Sequence, residues 1–200
     1  MSEAGYALFE TAIGLCAIAW GPAGITGAQL PEGSAARARA RLARRFPDLA
    51  EAEPPPAVRR AIDDIVAHIG GKAHDLRDIA LDLTGVPDFH VKVYDVARAI
   101  LPGETLTYGE VARRVGEPGA AQAVGQALGK NPFPIIVPCH RVLAAGGRTG
   151  GFSADGGVET KFRLLTIEKA RTSAEPTLFD GDSAFAFVAP PRARTRTGRS

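Results

Sequence analysis

The spacing of apolar residues changes at Gly85-Val86-Pro87, and this change constrains the fold more than any other feature of the chain. Before it, short runs of β-prone residues separated by glycines are followed by two helical patterns. After it, apolar residues recur almost entirely at helical spacing. The sequence therefore predicts an α/β N-terminal domain over residues 1–84 and a mainly α C-terminal domain over residues 87–170. Residues 171–200 are rich in Pro, Ser, Asp and Gly, which predicts a disordered tail.

The N-terminal unit begins with three β-prone runs, at residues 6–9, 15–20 and 24–28, which Gly-Pro and Gly residues separate. Runs of this length with such turn residues between them predict a small antiparallel meander. Residues 79–83 alternate between apolar and polar side chains and predict a last strand of the same unit.

Two helices are predicted between these strands. Ser34 has the position of an N-cap for a helix over residues 35–46, and the five arginines of that helix indicate a solvated face. Apolar residues at core spacing predict a second helix over residues 56–69, which Gly70-Gly71 ends.

The C-terminal unit contains a helix-turn-helix pattern. An apolar stripe predicts a helix over residues 89–100, and Thr107 then caps a short helix over residues 108–115. A turn at residues 116–119 leads to a helix over residues 120–130.

The second helix of this pattern is built mostly from alanine and glycine, although each glycine costs a helix about 1 kcal/mol relative to alanine. Two explanations are open: close approach to a flat or narrow surface, or close packing on a neighbouring helix. Downstream, glycines at residues 142–152 predict a hairpin or wing, and residues 157–170 predict a last helix.

The overall composition is that of a soluble globular protein, with 45% hydrophobic and 23% charged residues. No apolar run has the length of a membrane span, and the start of the chain lacks the basic residues of a signal peptide, so we expect a cytoplasmic protein without membrane contact. The net charge of +2 argues against binding nucleic acid by bulk charge. The last arginines of the tail could add weak phosphate contacts or could simply be solvated.

Pro138-Cys139-His140-Arg141 is the segment with the clearest chemical potential. A thiol attacks only as the thiolate, and its ordinary pKa of about 8.5 must be lowered by a neighbouring base or cation. The apolar run at residues 134–137 predicts a strand, and Pro138 supplies the bend after it. The alternative is that Cys139 is a small core residue. With Cys16 as the only other cysteine and no ligand spacing among the histidines, we expect free thiols, no metal and no cofactor.

Residues 131–142 read NPFPIIVPCHRV and resemble the active-site signature of the O6-alkylguanine-DNA alkyltransferases, also called methylated-DNA–protein-cysteine methyltransferases. The resemblance covers residues 87–169, whereas residues 1–84 match only in general layout. It implies an α/β N-terminal domain and a winged helix-turn-helix whose second helix enters the DNA minor groove. It further implies that a monomer flips O6-alkylguanine, and also O4-alkylthymine, out of double-stranded DNA.

The same resemblance implies a role for each matching residue. Glu168 would orient His140, which takes the thiol proton of Cys139; Tyr108 would donate a proton to the leaving base, and Asn131 would hold the turn that carries Cys139. Because a thioether is a poor leaving group, each molecule would act once. The DNA-contacting residues implied are Thr107, Ala121, Gln122, Gly125, Arg141 and Ser153. The residues implied to line the substrate pocket are Val142, Phe152 and Lys161.

Gln122 departs from the family pattern, because it stands where the relatives carry the arginine that fills the gap left by the flipped base. Glutamine lacks the charge and the planar fork of arginine, so we expect weaker or altered DNA engagement. A non-enzymatic lesion sensor that recruits other repair factors is therefore an alternative, although sensors of this family replace the cysteine that is present here. A thiol hydrolase or redox protein is a third possibility, for which Cys16 would be the only resolving cysteine.

Overall fold

The computed structural model describes residues 4–72, 74–145 and 157–170. The part of the predicted hairpin or wing beyond Ala145, which includes Phe152, lies outside the described residues, as do Ser153 and the predicted tail at residues 171–200. Among the described residues, no helix combines the length and the apolar character needed to cross a bilayer.

Three antiparallel strands form the first sheet in the order β1 (Gly5–Thr11), β2 (Gly14–Gly21) and β3 (Gly24–Gln29). The predicted meander is therefore confirmed. Alternate residues of β2 point to opposite faces of the sheet. Ala17 and Ala19 contact Leu42 on one face, whereas Ile18 and Trp20 on the other face enter the main core. Both faces of β2 are covered, which explains why its centre contains no polar residue.

Two helices cover this sheet, α1 (Ala35–Arg45) and α2 (Pro56–Ile69). The Ser34 hydroxyl accepts a hydrogen bond from the Arg37 backbone N–H at 3.3 Å, as expected of an N-cap. The arginines of α1 are all exposed, so the predicted solvated face is also confirmed.

The predicted strand at residues 79–83 is wrong. Only one bridge forms, between Ile25 and Leu81, and it rests on two hydrogen bonds: Ile25 N–H to the Ala80 carbonyl (2.9 Å) and Asp82 N–H to the Ile25 carbonyl (2.8 Å). A Cβ at Gly24 would lie 2.7 Å from the Ala80 carbonyl oxygen, so only glycine allows the chains to come this close. Pairing then stops because the Asp82 carboxylate accepts the Thr84 N–H and turns the chain away.

The helices of the C-terminal unit are α3 (Asp88–Arg98), α4 (Tyr108–Arg114), α5 (Ala121–Gly129) and α6 (Gly157–Ile167). Thr107 caps α4 through a reciprocal capping box with Glu110, as the sequence predicts for its N-cap. The turn after α4 leads directly into α5, and the two helices pack on each other and on α3. Two short strands, β4 (Leu106–Thr107) and β5 (Val142–Leu143), pair in parallel beside them.

Buried residues from both units belong to one apolar cluster. Ile18 and Ile65 from the sheet and α2 share this cluster with Val93 from α3, Val124 from α5 and Phe133 from the segment after α5. The segment that precedes Cys139 is therefore packed between the two units and is held from both sides.

Candidate active site

Cys139 follows a tight turn that Asn131 holds in place. The Asn131 side chain donates from Nδ2 to the Val137 carbonyl and accepts the Phe133 N–H on Oδ1, both at 2.9 Å. The predicted strand at residues 134–137 is wrong, because the segment folds back on itself and pairs Pro134 with Val137. The side chain of Asn131 supplies the hydrogen bonds that a neighbouring strand would otherwise provide. Ile135 adopts a φ of 77°, a conformation that β-branched residues rarely accept and that marks local strain.

The N-terminal unit braces the same turn. The Pro132 carbonyl accepts the Ala28 N–H from β3 at 2.9 Å and an Arg45 guanidinium N–H from α1 at 3.2 Å. The position of the turn therefore depends on the sheet as well as on α5.

Cys139 is half-buried at the start of a short 3-10 turn, Cys139–Arg141. Burial raises the pKa of its thiol, whereas a hydrogen bond from the Asn131 side chain and the charge of Lys161 act to lower it. Burial also lowers the pKa of Lys161 to about 8. The thiol is therefore protonated at rest, and a base must accept its proton before it can attack.

A buried carboxylate lies behind the cysteine. Glu168 Oε1 accepts hydrogen bonds from His140 Nε2 at 2.9 Å, His68 Nε2 at 2.8 Å and Arg141 Nη2 at 2.8 Å, and Oε2 accepts from Arg141 Nε at 2.9 Å. Burial would raise the pKa of the Glu168 carboxyl, but the hydrogen bonds from His140, His68 and Arg141 hold it well below its ordinary value. Glu168 is therefore an anion that fixes His140 through Nε2.

Burial lowers the pKa of His140 and outweighs the opposing effect of Glu168. The ring is thus neutral and donates from Nε2, which leaves a lone pair on Nδ1. Nδ1 has no hydrogen-bond partner among the described residues. This nitrogen is the basic atom that the site offers to a proton from Cys139.

An open cavity gives access to Cys139. Tyr108, Gly125 and Asn131 line it from the C-terminal unit, and side chains of the N-terminal unit close its other side. Burial raises the pKa of the Tyr108 hydroxyl, and Cys139 raises it further, so the phenol keeps its proton and can donate it. A Cβ on Gly125 would lie 3.8 Å from the Tyr108 ring, which is an ordinary contact, so packing between α4 and α5 does not require this glycine.

Comparison with known proteins identifies the family. A family model described as the DNA-binding domain of 6-O-methylguanine DNA methyltransferase matches residues 88–170. The methylated-DNA–protein-cysteine methyltransferase of Mycobacterium tuberculosis H37Rv is 46% identical over 126 residues, which cover 63% of this chain and 74% of that protein. This chain belongs to the methylated-DNA–protein-cysteine methyltransferase family. The methylated-DNA–protein-cysteine methyltransferase of Methanothermobacter thermautotrophicus is 36% identical over 151 residues, which cover 76% of this chain and 77% of that protein.

Solved structures agree with this family membership. The crystal structure of M. tuberculosis O6-methylguanine methyltransferase superposes with a TM-score of 0.67 at 37% identity, covering 88% of this chain and 99% of that one. The structure of M. tuberculosis OGT in complex with DNA gives a TM-score of 0.65 at 34% identity, covering 85% and 96%. The resemblance to this family that the sequence indicates is confirmed.

The fold brings together some of the site residues that the methyltransferase signature implies. Cys139, Asn131, Tyr108 and Gly125 line one cavity, and His140 and Glu168 form the hydrogen-bonded pair behind it. Gln122 is exposed on α5, Ala121 is half-buried at its first residue, and Thr107 is half-buried at the cap of α4. Within residues 4–72, 74–145 and 157–170, no group of three or more His, Cys, Asp or Glu could hold a metal ion.

Three predicted roles need correction. Arg141 is not placed to contact DNA, because its guanidinium is buried between Glu168 and the Ile100 carbonyl. Val142 and Lys161 do not line the cavity: both are fully buried, and Lys161 Nζ donates to the Val142 carbonyl at 2.7 Å. Lys161 instead acts on the methyltransferase site through its charge on Cys139. Phe152 and Ser153 lie outside the described residues.

Sequence reasoning missed the contributions of the N-terminal unit. His68, Arg41 and Arg45 belong to the site, the first through Glu168 and the others as walls of the cavity. The signal for His68 was its place on the buried stripe of α2 with Val58 and Ile65. The arginines of α1 gave no such signal, because their spacing is that of any exposed basic helix.

Proposed function

We propose that this chain repairs DNA by moving an alkyl group from the O6 atom of an alkylated guanine to Cys139, once per molecule. One arrangement supports the proposal above all: Cys139 opens into a cavity next to a protonated phenol, Tyr108, while the neutral base His140 is held by the buried Glu168 carboxylate. Its relatives in the family are named for this reaction.

The proposed step is a single displacement. His140 Nδ1 takes the thiol proton, directly or through a water, and Glu168 stabilises the imidazolium that results. The Cys139 sulfur then forms a bond to the alkyl carbon as the bond from that carbon to O6 breaks. The electron pair returns to the guanine, and Tyr108 donates its proton toward N3, so that the base leaves neutral. The thioether has no route back to a thiol, which makes the reaction stoichiometric.

For DNA binding we propose that α4 and α5 act as the helix-turn-helix of a winged domain spanning residues 87–170, against which residues 1–84 pack as an N-terminal α/β domain. The second helix, α5, would lie in the minor groove of double-stranded DNA that carries the lesion. Its small side chains would let its backbone come close, and the exposed Gln122 would fill the space of the flipped base.

Incubation with a duplex that carries one O6-methylguanine is expected to add the mass of one methyl group to the peptide that contains Cys139. Peptide mass spectrometry of the full chain measures it, and the Cys139→Ala variant is expected to gain nothing. Cys16 is an internal control, because burial raises the pKa of its thiol to about 11. Binding of lesion DNA with no mass gain would contradict alkyl transfer and favour the lesion sensor.

Replacing Gln122 with arginine is expected to speed methyl transfer about threefold to tenfold. A cation with a planar fork would replace a neutral amide beside the base that loses its pairing partner when the lesion flips out. Single-turnover rates on O6-methylguanine duplexes measure the change. Gln126→Arg adds the same charge one turn later on α5, where the side chain is also exposed, and should change the rate less. An unchanged or slower Gln122→Arg variant would mean that another group already does this work.

A further inference from the structure

His68 is a buried titratable group that the proposed reaction does not use. It lies on α2, in the N-terminal unit, and its side chain is 2% exposed. Its Nε2 is 2.8 Å from Glu168 Oε1, although the two residues are 100 positions apart in the chain. His140 Nε2 contacts the same oxygen at 2.9 Å.

The cluster holds one buried anion and one buried cation besides the two imidazole rings. Glu168 carries one negative charge and Arg141 one positive charge, and their contact at 2.8 Å balances the buried group. A further cation there would be unpaired and costly. A neutral His68 that contacts a carboxylate through Nε2 must donate from that nitrogen. Its Nδ1 has no partner among the described residues, which is the pattern that His140 also shows.

Both rings therefore donate to Glu168 Oε1, and each weakens the electrostatic stabilisation that this oxygen gives to the other. Oε1 already accepts from Arg141, so the His68 bond completes its hydrogen bonding and holds the carboxylate at one place and angle. It also reduces the share of the negative charge that is available to a protonated His140. The charge of Arg141 acts in the same direction, since it lowers the pKa of His140.

We propose that His68 is a positioning residue of the alkyl-transfer site: by donating its Nε2 proton to the Glu168 oxygen that His140 shares, it fixes His140 as the neutral, Nε2-protonated tautomer whose Nδ1 receives the thiol proton. The inference rests on the proposed function for its kinetic consequence. It would make the N-terminal unit part of the chemistry, because α2 supplies a third donor to Glu168 Oε1 beside His140 and Arg141 of the C-terminal unit.

Other charged groups around the cluster set the background of its titration. Cys139 precedes His140 and feels the charge of Lys161 from α6, and Asp75, after α2, feels the charge of Arg141. Arg98 of α3 donates to backbone carbonyls of residues 76, 77 and 79. None of these groups is changed by a substitution at His68, so a shift in the titration of His140 would report on the shared oxygen.

The test compares two amides. In His68→Gln the side-chain nitrogen can take the place of Nε2 and donate to Glu168, whereas in His68→Asn it ends about where Nδ1 was and falls short. Single-turnover methyl transfer by the full chain is expected to slow about tenfold in His68→Asn and to stay within about twofold of wild type in His68→Gln. The acid limb of the rate against pH should move up by about one unit in His68→Asn alone, since a more basic His140 stays protonated to higher pH.

If His68 had a purely structural role, His68→Asn would lower the rate at every pH without moving the acid limb of the pH profile. That result would overturn the proposal. Histidine ring 15N spectra of the wild-type chain give a reading that needs no variant and no alkylated DNA: both His68 and His140 should be neutral and protonated on Nε2 at pH 7. A His68 protonated on Nδ1 would overturn the inference even if both variants unfold. If the wild type shows these tautomers and transfers no methyl group, the proposed function fails while the assigned hydrogen bonds stand.

Discussion

Glu168→Gln is expected to lower the free energy of unfolding by about 3–5 kcal/mol, because it leaves the buried Arg141 guanidinium without a counter-charge. The amide cannot replace the carboxylate, since its NH2 group would face donors from His68, His140 or Arg141. Urea denaturation measures the change. Glu159→Gln, on the exposed face of α6, is the matched control and should stay within about 0.5 kcal/mol of wild type.

The pH dependence of this effect has a definite sign. The folded-state pKa of Glu168 is depressed, so its stabilisation is present above the unfolded pKa of about 4.3 and is lost as pH falls through the folded value. The difference between wild type and Glu168→Gln should be constant from about pH 5 to 8 and should narrow below about pH 4. Adding Arg141→Met should recover part of the loss, because it removes the unpaired cation. Equal stability of wild type and Glu168→Gln would contradict a charged buried Glu168.

Glu168→Gln should also slow alkyl transfer, by about 10²-fold or more, because the imidazolium of His140 loses the anion that stabilises it. A loss of rate without a loss of stability would mean that Glu168 supports the general base His140 but does not pair with Arg141. We expect both the rate and the stability to fall, because one carboxylate binds both His140 and Arg141.

The parts of the fold that the sequence predicted are those that short-range interactions decide. Ser34 and Thr107 cap helices whose first turns lie within three residues of them, so their role is visible in the sequence. The meander of β1, β2 and β3 is equally local, since glycines mark each turn.

The two wrong strands share one cause. Residues 79–83 and 134–137 have β-prone side chains, but a strand also needs a partner along its whole length. The first segment pairs only at Leu81, and the second has its backbone bound by Asn131 instead. Apolar runs of this length indicate burial, which Ile135, Ile136 and Val137 all show, without indicating the backbone conformation.

The site was predictable where its residues are close in sequence and unpredictable where they meet from a distance. Cys139 and His140 are adjacent, and Asn131 holds its own turn. The contact between His68 and Glu168 joins residues 100 positions apart, and no local pattern reports it. The DNA contact that the resemblance implied for Arg141 fails for the same reason, because the distant Glu168 carboxylate decides the orientation of its guanidinium.

Asn131→Ala is expected to cost about 1–3 kcal/mol of stability, because it leaves the Phe133 N–H of a buried turn without its acceptor and leaves the Val137 carbonyl with only the Cys139 N–H. Denaturant unfolding measures this loss, and Lys130→Ala, at the exposed neighbouring residue, is the control. Alkyl transfer should slow about 10²-fold, because a shift of about 1 Å in the turn displaces the sulfur from the line of attack.

Asn131→Asp separates the two functions of this side chain. It keeps an acceptor for the Phe133 N–H but loses the amide hydrogens that reach the Val137 carbonyl and the Cys139 sulfur, and it adds an anion beside that sulfur. The pKa of Cys139 should therefore rise in both variants, and more in Asn131→Asp, since a nearby negative charge opposes the thiolate. The rate of iodoacetamide labelling against pH, read on the Cys139 peptide, gives this order. If Cys139 of Asn131→Asp shows the same dependence of labelling rate on pH as wild type, the amide only holds the turn and does not act on the sulfur.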